Sequence, residues 1–335
     1  MAELGRRLRI MMISRRRSTA FSILSFLVLL GSAVPAMAGT LQIFQYRSAA
    51  LNQDQTAQVY VPTGTAPKGG WPVLYLLHGL NGAATDWDKL GKLRTTVDKL
   101  IADDAMKPLL IVMPSGGNSW YVDSADVKGP GNYATAISRD LEQAVEQAFP
   151  VGKDRAHRAI AGISMGGFGA LRLGLSDPSR YSAIAALSPA IWQNIPTAAV
   201  DKSAAELEAL RSGYFQKADT STVTTGLVMP PEGAHFGGAF GTPFDARRFN
   251  ASNVFTILGR AVESRKNLPS VYLTVGDDDS HLLWRGAIAF FETMRMDGRM
   301  IDFRVTDGDH DWDCWKASLG DALLFIDHNM TQPPA

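Results

Sequence analysis

The chain has 335 residues with 33 basic and 33 acidic side chains, and its single cysteine, Cys314, excludes an internal disulfide. Residues 1–38 hold six arginines and one glutamate, so the remainder has 27 basic against 32 acidic residues, a net charge of −5. That balance argues against nucleic acid or an anionic membrane surface as a partner, and a chain 46% hydrophobic can build a large core without covalent staples.

In chain order, residues 1–38 read as an export signal. Arg6, Arg7, Arg9 and Arg15-Arg16-Arg17 form a basic start, residues 21–30 an apolar core, and Ala36-Met37-Ala38 a cleavage site that leaves Gly39 first. The apolar run is shorter than the about 20 residues of a membrane span, with an uncleaved anchor as the alternative. Ser14-Arg15-Arg16 resembles a twin-arginine start, but Ser18 stands where an apolar residue belongs, so that route is not expected. The expected destination is the periplasm or the exterior, with no membrane span in the mature chain.

Beyond residue 39, short apolar runs alternate with amphipathic stretches, the pattern of a mostly parallel α/β sheet with crossover helices. Strands are predicted over 41–46 and 57–61, antiparallel and at an edge, then over 73–77, 109–113, 158–161, 183–187, 271–275 and 301–305. Helices are predicted over 85–102, 133–149, 165–175, 284–296 and 314–327. Residues 191–260 break the alternation with Met229-Pro230-Pro231 and a glycine-rich 233–241. They read as an insertion within one domain spanning 39–335, either a lid or substrate wall or a surface excursion.

The most informative motif is Gly162-Ile163-Ser164-Met165-Gly166, set between a strand and a helix. Gly-x-Ser-x-Gly there is the nucleophile elbow, a sharp turn that lifts a serine hydroxyl above the sheet. A serine needs an imidazole base oriented by a carboxylate, and in this fold the three follow in the order Ser, Asp, His at strand ends. Asp277, Asp278 and Asp279 follow the strand at 271–275, and His310 follows the strand at 301–305. Of the other histidines, His78 reads as structural, His157 precedes a strand, His235 lies in the insertion, His281 could line a pocket, and His328 is near the C-terminus. Oxyanion donors are expected from the Met165 amide and from the loop His78-Gly79-Leu80-Asn81-Gly82, through the Leu80 amide.

Taken together, Leu77-His78-Gly79-Leu80, Met113-Pro114-Ser115-Gly116-Gly117-Asn118-Ser119-Trp120-Tyr121, Gly162-Ile163-Ser164-Met165-Gly166-Gly167 and His310-Asp311-Trp312-Asp313-Cys314-Trp315 give the chain a resemblance. It resembles the esterase D group of α/β hydrolases, which includes feruloyl esterases, S-formylglutathione hydrolases and antigen 85 mycolyltransferases. The resemblance covers almost all of 40–328 and implies an α/β-hydrolase fold. It also implies Asp279 as the acid, three residues after the strand-end Gly276, ahead of Asp278 and Asp277. The insertion departs from the family pattern.

The expectation is an exported serine carboxylesterase without cofactor or metal, acting on a small-molecule or glycan-linked ester. The alternatives are an acyltransferase to a sugar hydroxyl, or a non-catalytic binding protein on the same fold. A cytosolic thioesterase is disfavoured by the leader. Trp120, Tyr121, Trp284 and Trp312 are candidates for an aromatic cleft, or else core and rim residues. Asp307 to Asp313 alternates acids like a calcium loop but has Trp312 in place of the sixth-position glycine and Ser318 at the twelfth, so it is rejected. Cys314 reads as a small buried residue, and the glycosylation-like Asn250-Ala251-Ser252 and Asn329-Met330-Thr331 decide nothing.

Overall fold

The computed structural model describes residues 39–330 except 204, 210–229, 232 and 265. The expected export signal at 1–38, Met229 and Thr331 lie outside the described residues. One sheet holds eight strands in the order β1-β2-β4-β3-β5-β6-β7-β8. They are β1 (Thr40–Ser48), β2 (Gln53–Val61), β3 (Val73–Leu77), β4 (Leu110–Pro114), β5 (Arg158–Ile163), β6 (Ala183–Leu187), β7 (Ser270–Gly276) and β8 (Asp302–Thr306). β1 and β2 form an antiparallel hairpin, β2 pairs antiparallel with β4, and all pairings from β4 to β8 are parallel. The carboxyl ends of six strands therefore share one edge of the sheet, which is where loops build sites in such folds.

The strands from β3 to β7 are apolar runs because both faces are covered. Side chains alternate between the faces of a strand, so each strand feeds two cores. Val73, Tyr75 and Leu77 join one core with Met165, Phe168 and Leu171 of the helix Met165–Ser176 and Phe290 of the helix Trp284–Met296. Leu74 and Leu76 join the other, with Leu93 and Val97 of the helix Leu93–Ala102 and Leu319 and Leu323 of the helix Trp312–Asn329. Each such residue, taken fully from water, contributes about 1.5–3 kcal/mol. No helix among the described residues is long and apolar enough to cross a membrane.

Two expected helices are modified. Residues 85–102 divide into Asp86–Lys89 and Leu93–Ala102, because Lys92 takes φ 58° and Gly91 lies against Trp312, where a Cβ would come within 2.8 Å of the indole. Within 133–149, Ala136–Leu141 widens to a π-helix between Tyr133–Thr135 and Glu142–Ala148. In the described part of the insertion, two helices, Ala246–Ser252 and Val254–Glu263, follow a short 3₁₀ turn at Gly233–Phe236. Arg248 ties the first to the loop after β4, donating from Nη1 and Nη2 to the Asp126 carboxylate at 2.7 Å and from Nη2 to the Asp123 carbonyl at 2.6 Å.

Candidate active site

Ser164 stands between β5 and the helix Met165–Ser176 with φ 54° and ψ −119°, a conformation that costs a non-glycine residue of order 1–3 kcal/mol. Neighbouring hydrogen bonds hold it there. Its amide donates to the Leu187 carbonyl at 3.0 Å, and its own carbonyl accepts from the amides of Phe168 and Ala190, each at 3.0 Å. The flanking glycines are demanded by close approach. A Cβ on Gly162 would lie 2.3 Å from the Gly166 carbonyl oxygen, and one on Gly166 would lie 2.5 Å from the Leu77 oxygen and 2.6 Å from the His78 oxygen.

His310, in the loop after β8, brings Nε2 to 2.9 Å from the Ser164 hydroxyl oxygen. Its Nδ1 lies 2.8 Å from Asp279 Oδ2. A carboxylate can only accept, so Nδ1 carries the proton and Nε2 presents a lone pair to the serine hydroxyl. Asp279 is 1% exposed, and its other oxygen accepts from the amides of His281 at 3.0 Å and Leu283 at 3.3 Å. Of the three consecutive acids Asp279 alone faces the imidazole. Asp277 is exposed and accepts from the Gly308 amide at 3.2 Å, and Asp278 is exposed.

The loops that carry Asp279 and His310 are stitched together by Asp309, a residue the sequence does not single out. Asp309 Oδ1 accepts from the amides of both His310 and Ser280 at 2.6 Å. Those two amides, His310 first, hold its carboxyl below the usual carboxylate range. An acid beside a histidine has no distinguishing spacing, so no sequence signal points to Asp309. The His310 ring is also boxed by aromatics, edge-on to Trp315 at 5.0 Å and to His281 at 4.8 Å, and Trp315 Nε1 donates to Ser188 Oγ at 3.2 Å.

The loop after β3 comes close to Ser164, since a Cβ on Gly79 would lie 3.3 Å from Ser164 Cβ. This brings the Leu80 segment beside the serine, while Met165 is the first residue of its helix, where an amide has no intrahelical acceptor. His78 braces this loop from inside. It is 1% exposed, its Nδ1 donates to the Gly79 carbonyl at 2.7 Å, and its Nε2 accepts from the Gly116 amide at 2.9 Å. Accepting from the Gly116 amide needs a lone pair on Nε2, hence a neutral ring, and burial pulls its pKa in that same direction, below the ordinary value.

The four aromatic candidates do not gather into one wall. Tyr121 is fully enclosed and donates its hydroxyl to the His78 carbonyl at 3.0 Å, so it supports the loop. Trp120, 1% exposed with φ 54°, packs on Phe168 of the helix Met165–Ser176 and on Trp192, His235 and Phe236 of the insertion. Trp312 packs instead on Trp87 and Trp315, against the core on the other face of the sheet. Trp284 is half-buried beneath the Arg285 guanidinium. The insertion thus packs on Trp120 through Trp192, His235 and Phe236, residues that carry no sequence signal beyond their aromatic character. His157 bonds Asp154 before β5, and His328 is exposed on the last helix.

Cys314 is buried, which pushes its thiol up and makes it a poor nucleophile. Of the acids in 307–313, Asp309 and Asp311 accept from backbone amides, Asp311 capping the helix Trp312–Asn329 through the amides of Asp313 and Cys314, while Asp313 pairs with Lys316 at 2.6 Å. Asp277, Asp278 and Asp307 are exposed and have oxygens within 4.8 Å of one another, a grouping ordinary for solvated acids. A polar groove lined by Arg155, Ser182, Asn267 and Ser270 lies at the amino ends of β6 and β7, the edge opposite Ser164.

A serine, an imidazole and a carboxylate in line, beside the first amide of a helix, is an arrangement suited to acyl transfer. The Esterase family model matches residues 48–326. The chain belongs to the Esterase family. It is 24% identical to the acetyl esterase of Caldicellulosiruptor saccharolyticus over 76% of this chain and 82% of that protein. It is 32% identical to the endo-1,4-beta-xylanase/feruloyl esterase of Xylanibacter ruminicola over 43% of this chain, spanning only 20% of that larger protein. Among solved structures, a ferulic acid esterase superposes with a TM-score of 0.63 at 23% identity, covering 88% of this chain and 99% of its own. The fold is that of the α/β hydrolases, and the chain is an ester-hydrolysing enzyme.

Proposed function

We propose that this esterase is a serine carboxylesterase with Ser164 as nucleophile, His310 as base and acid, and Asp279 as the group that holds the imidazole tautomer. The observation that carries the reading is the continuous line from Ser164 Oγ to His310 Nε2 at 2.9 Å and from His310 Nδ1 to Asp279 Oδ2 at 2.8 Å. In the first half-reaction Ser164 Oγ bonds to the ester carbonyl carbon as its proton moves to Nε2, and the carbonyl electron pair moves onto oxygen. The Leu80 and Met165 amides donate to that oxyanion, each such donor contributing about 10²–10³ in rate. Collapse breaks the bond to the alcohol, which leaves with the proton from Nε2. Water then adds to the acyl-enzyme by the same route in reverse, giving free acid and restoring Ser164.

The substrate class is a carboxylic ester on a small molecule or a glycan, a reading supported by the acetyl esterase and xylanase/feruloyl esterase relatives. We further propose that residues 1–38 are removed on export, leaving a single catalytic domain from Gly39 with the insertion as part of its rim. The reading is tested with p-nitrophenyl acetate, p-nitrophenyl butyrate and methyl ferulate, with and without glucose or trehalose. The expected product is free acid in every case, lost in Ser164→Ala. Full turnover by Ser164→Ala would overturn the mechanism, and acyl-sugar as the main product would replace hydrolysis by transfer.

A further inference from the structure

We propose that Asn118 is a positioning residue that aims the Leu80 amide at the reacting carbonyl through a reciprocal clasp with Asn81. This rests on the reading of Ser164 and Leu80 above. The loop after β3 is fastened to the loop after β4 at two points that bracket Leu80. On one side the Gly116 amide donates to His78 Nε2 at 2.9 Å. On the other, the Asn81 amide donates to Asn118 Oδ1 and Asn118 Nδ2 donates to Asn81 Oδ1, each at 2.7 Å. Between them, the Gly82 amide closes the turn onto the Gly79 carbonyl at 3.1 Å. Asn81 takes φ 58°, which asparagine tolerates better than most residues. The direction of the Leu80 N–H is therefore set by a short arch pinned at both feet.

The two feet differ in what they can contribute. The His78 foot is buried and belongs to the packing of the loop, whereas Asn81 and Asn118 are both exposed. Exposed side-chain hydrogen bonds exchange readily with water and add little to folding. A matched pair across two loop tips is then better explained by geometry than by stability. An oxyanion donor displaced by about 1 Å loses much of its effect.

The test is Asn118→Ala and Asn118→Asp in the full chain, assayed with p-nitrophenyl acetate, by the rate of inactivation by a fluorophosphonate, and by melting temperature. In Asn118→Ala, kcat and the inactivation rate are expected to fall together by about 10–100-fold, with KM and melting temperature unchanged. Asn118→Asp keeps the acceptor for the Asn81 amide and is expected to recover most of that loss. Asn81→Gly, which removes the side chain without opposing the positive φ, reads the same clasp should Asn118→Ala fail to fold, with a smaller fall expected. Wild-type kcat in Asn118→Ala, with Ser164→Ala inactive, would overturn the positioning role alone. A raised KM with kcat intact would also overturn it, because Asn118 would then be a substrate contact. Activity in Ser164→Ala would instead remove the reading on which the clasp rests.

Discussion

Replacing Asp279 by asparagine separates the electrical role of the buried acid from its structural one. Asparagine is nearly isosteric, and its Oδ1 can still accept from the His281 and Leu283 amides, so the turn keeps its bonds. At the other position an NH₂ group replaces Oδ2, 2.8 Å from His310 Nδ1. Two donors cannot face each other, so the imidazole must present a lone pair at Nδ1 and carry its proton on Nε2. That proton then points at the Ser164 hydroxyl, where general-base action on Ser164 would require a lone pair. A forced wrong tautomer of this kind costs about 10⁴ in kcat, or about 5.5 kcal/mol of barrier. Turning the amide over does not rescue it, because NH₂ would then face two backbone donors. The assay is kcat for p-nitrophenyl acetate beside a denaturation curve, expected to show the activity lost and the stability nearly kept. Asp279→Ala is expected to lose both, since each orphaned buried amide costs about 1–3 kcal/mol. Asp278→Asn is expected to stay near wild type. An Asp279→Asn enzyme retaining more than about a tenth of kcat, or an Asp278→Asn enzyme equally impaired, would refute the assignment.

Two further outcomes follow from the same geometry. In Gly166→Ala the new methyl meets backbone atoms of Leu77 and His78 that cannot move independently of β3. Stability is expected to fall by about 1–3 kcal/mol and kcat by about 10²-fold, read by urea denaturation and steady-state kinetics, and a wild-type enzyme would contradict it. His78 has its pKa lowered below 6.5 by burial, opposed by its bond to Gly79 and by Asp86. The folded state therefore binds fewer protons than the unfolded state in the window just below pH 6.5, so stability present above 6.5 is lost as pH falls through the folded value. The decline in urea midpoint across that window is expected to be shallower in His78→Gln, and an equally steep decline would show that His78 is not its source.

The sheet was legible because its strands are either continuous apolar runs or follow a turn, and all eight lie within a few residues of expectation. The division of 85–102 was not, since Trp312, over 200 residues away in the chain, imposes the close contact at Gly91. The π-helix within 133–149 leaves the 3.6-residue pattern intact enough to read as an ordinary helix. The convergence of Ser164, Asp279 and His310 could be anticipated because each follows a parallel strand, and strand direction alone sends such residues to one edge. Which of three adjacent acids turns inward depends on the amides of His281 and Leu283, so it came from the family resemblance and not from spacing. The aromatic cleft failed as a unit for a related reason. Tyr121 and Trp312 have the same composition signal as rim residues, yet one is enclosed beneath His78 and the other packs on the opposite face. Asn81 and Asn118, 37 residues apart, have a partnership visible only once two loops meet.

Covalent labelling reads most directly whether the His310 imidazole makes the Ser164 hydroxyl reactive. The full chain is treated with a fluorophosphonate, the adduct is located by peptide mass, and the rate is compared with that of His310→Ala. A single adduct on Ser164 is expected, absent from Ser164→Ala and formed at least about 10²-fold more slowly in His310→Ala. Labelling of a different residue, or an unchanged rate without the His310 imidazole, would contradict it.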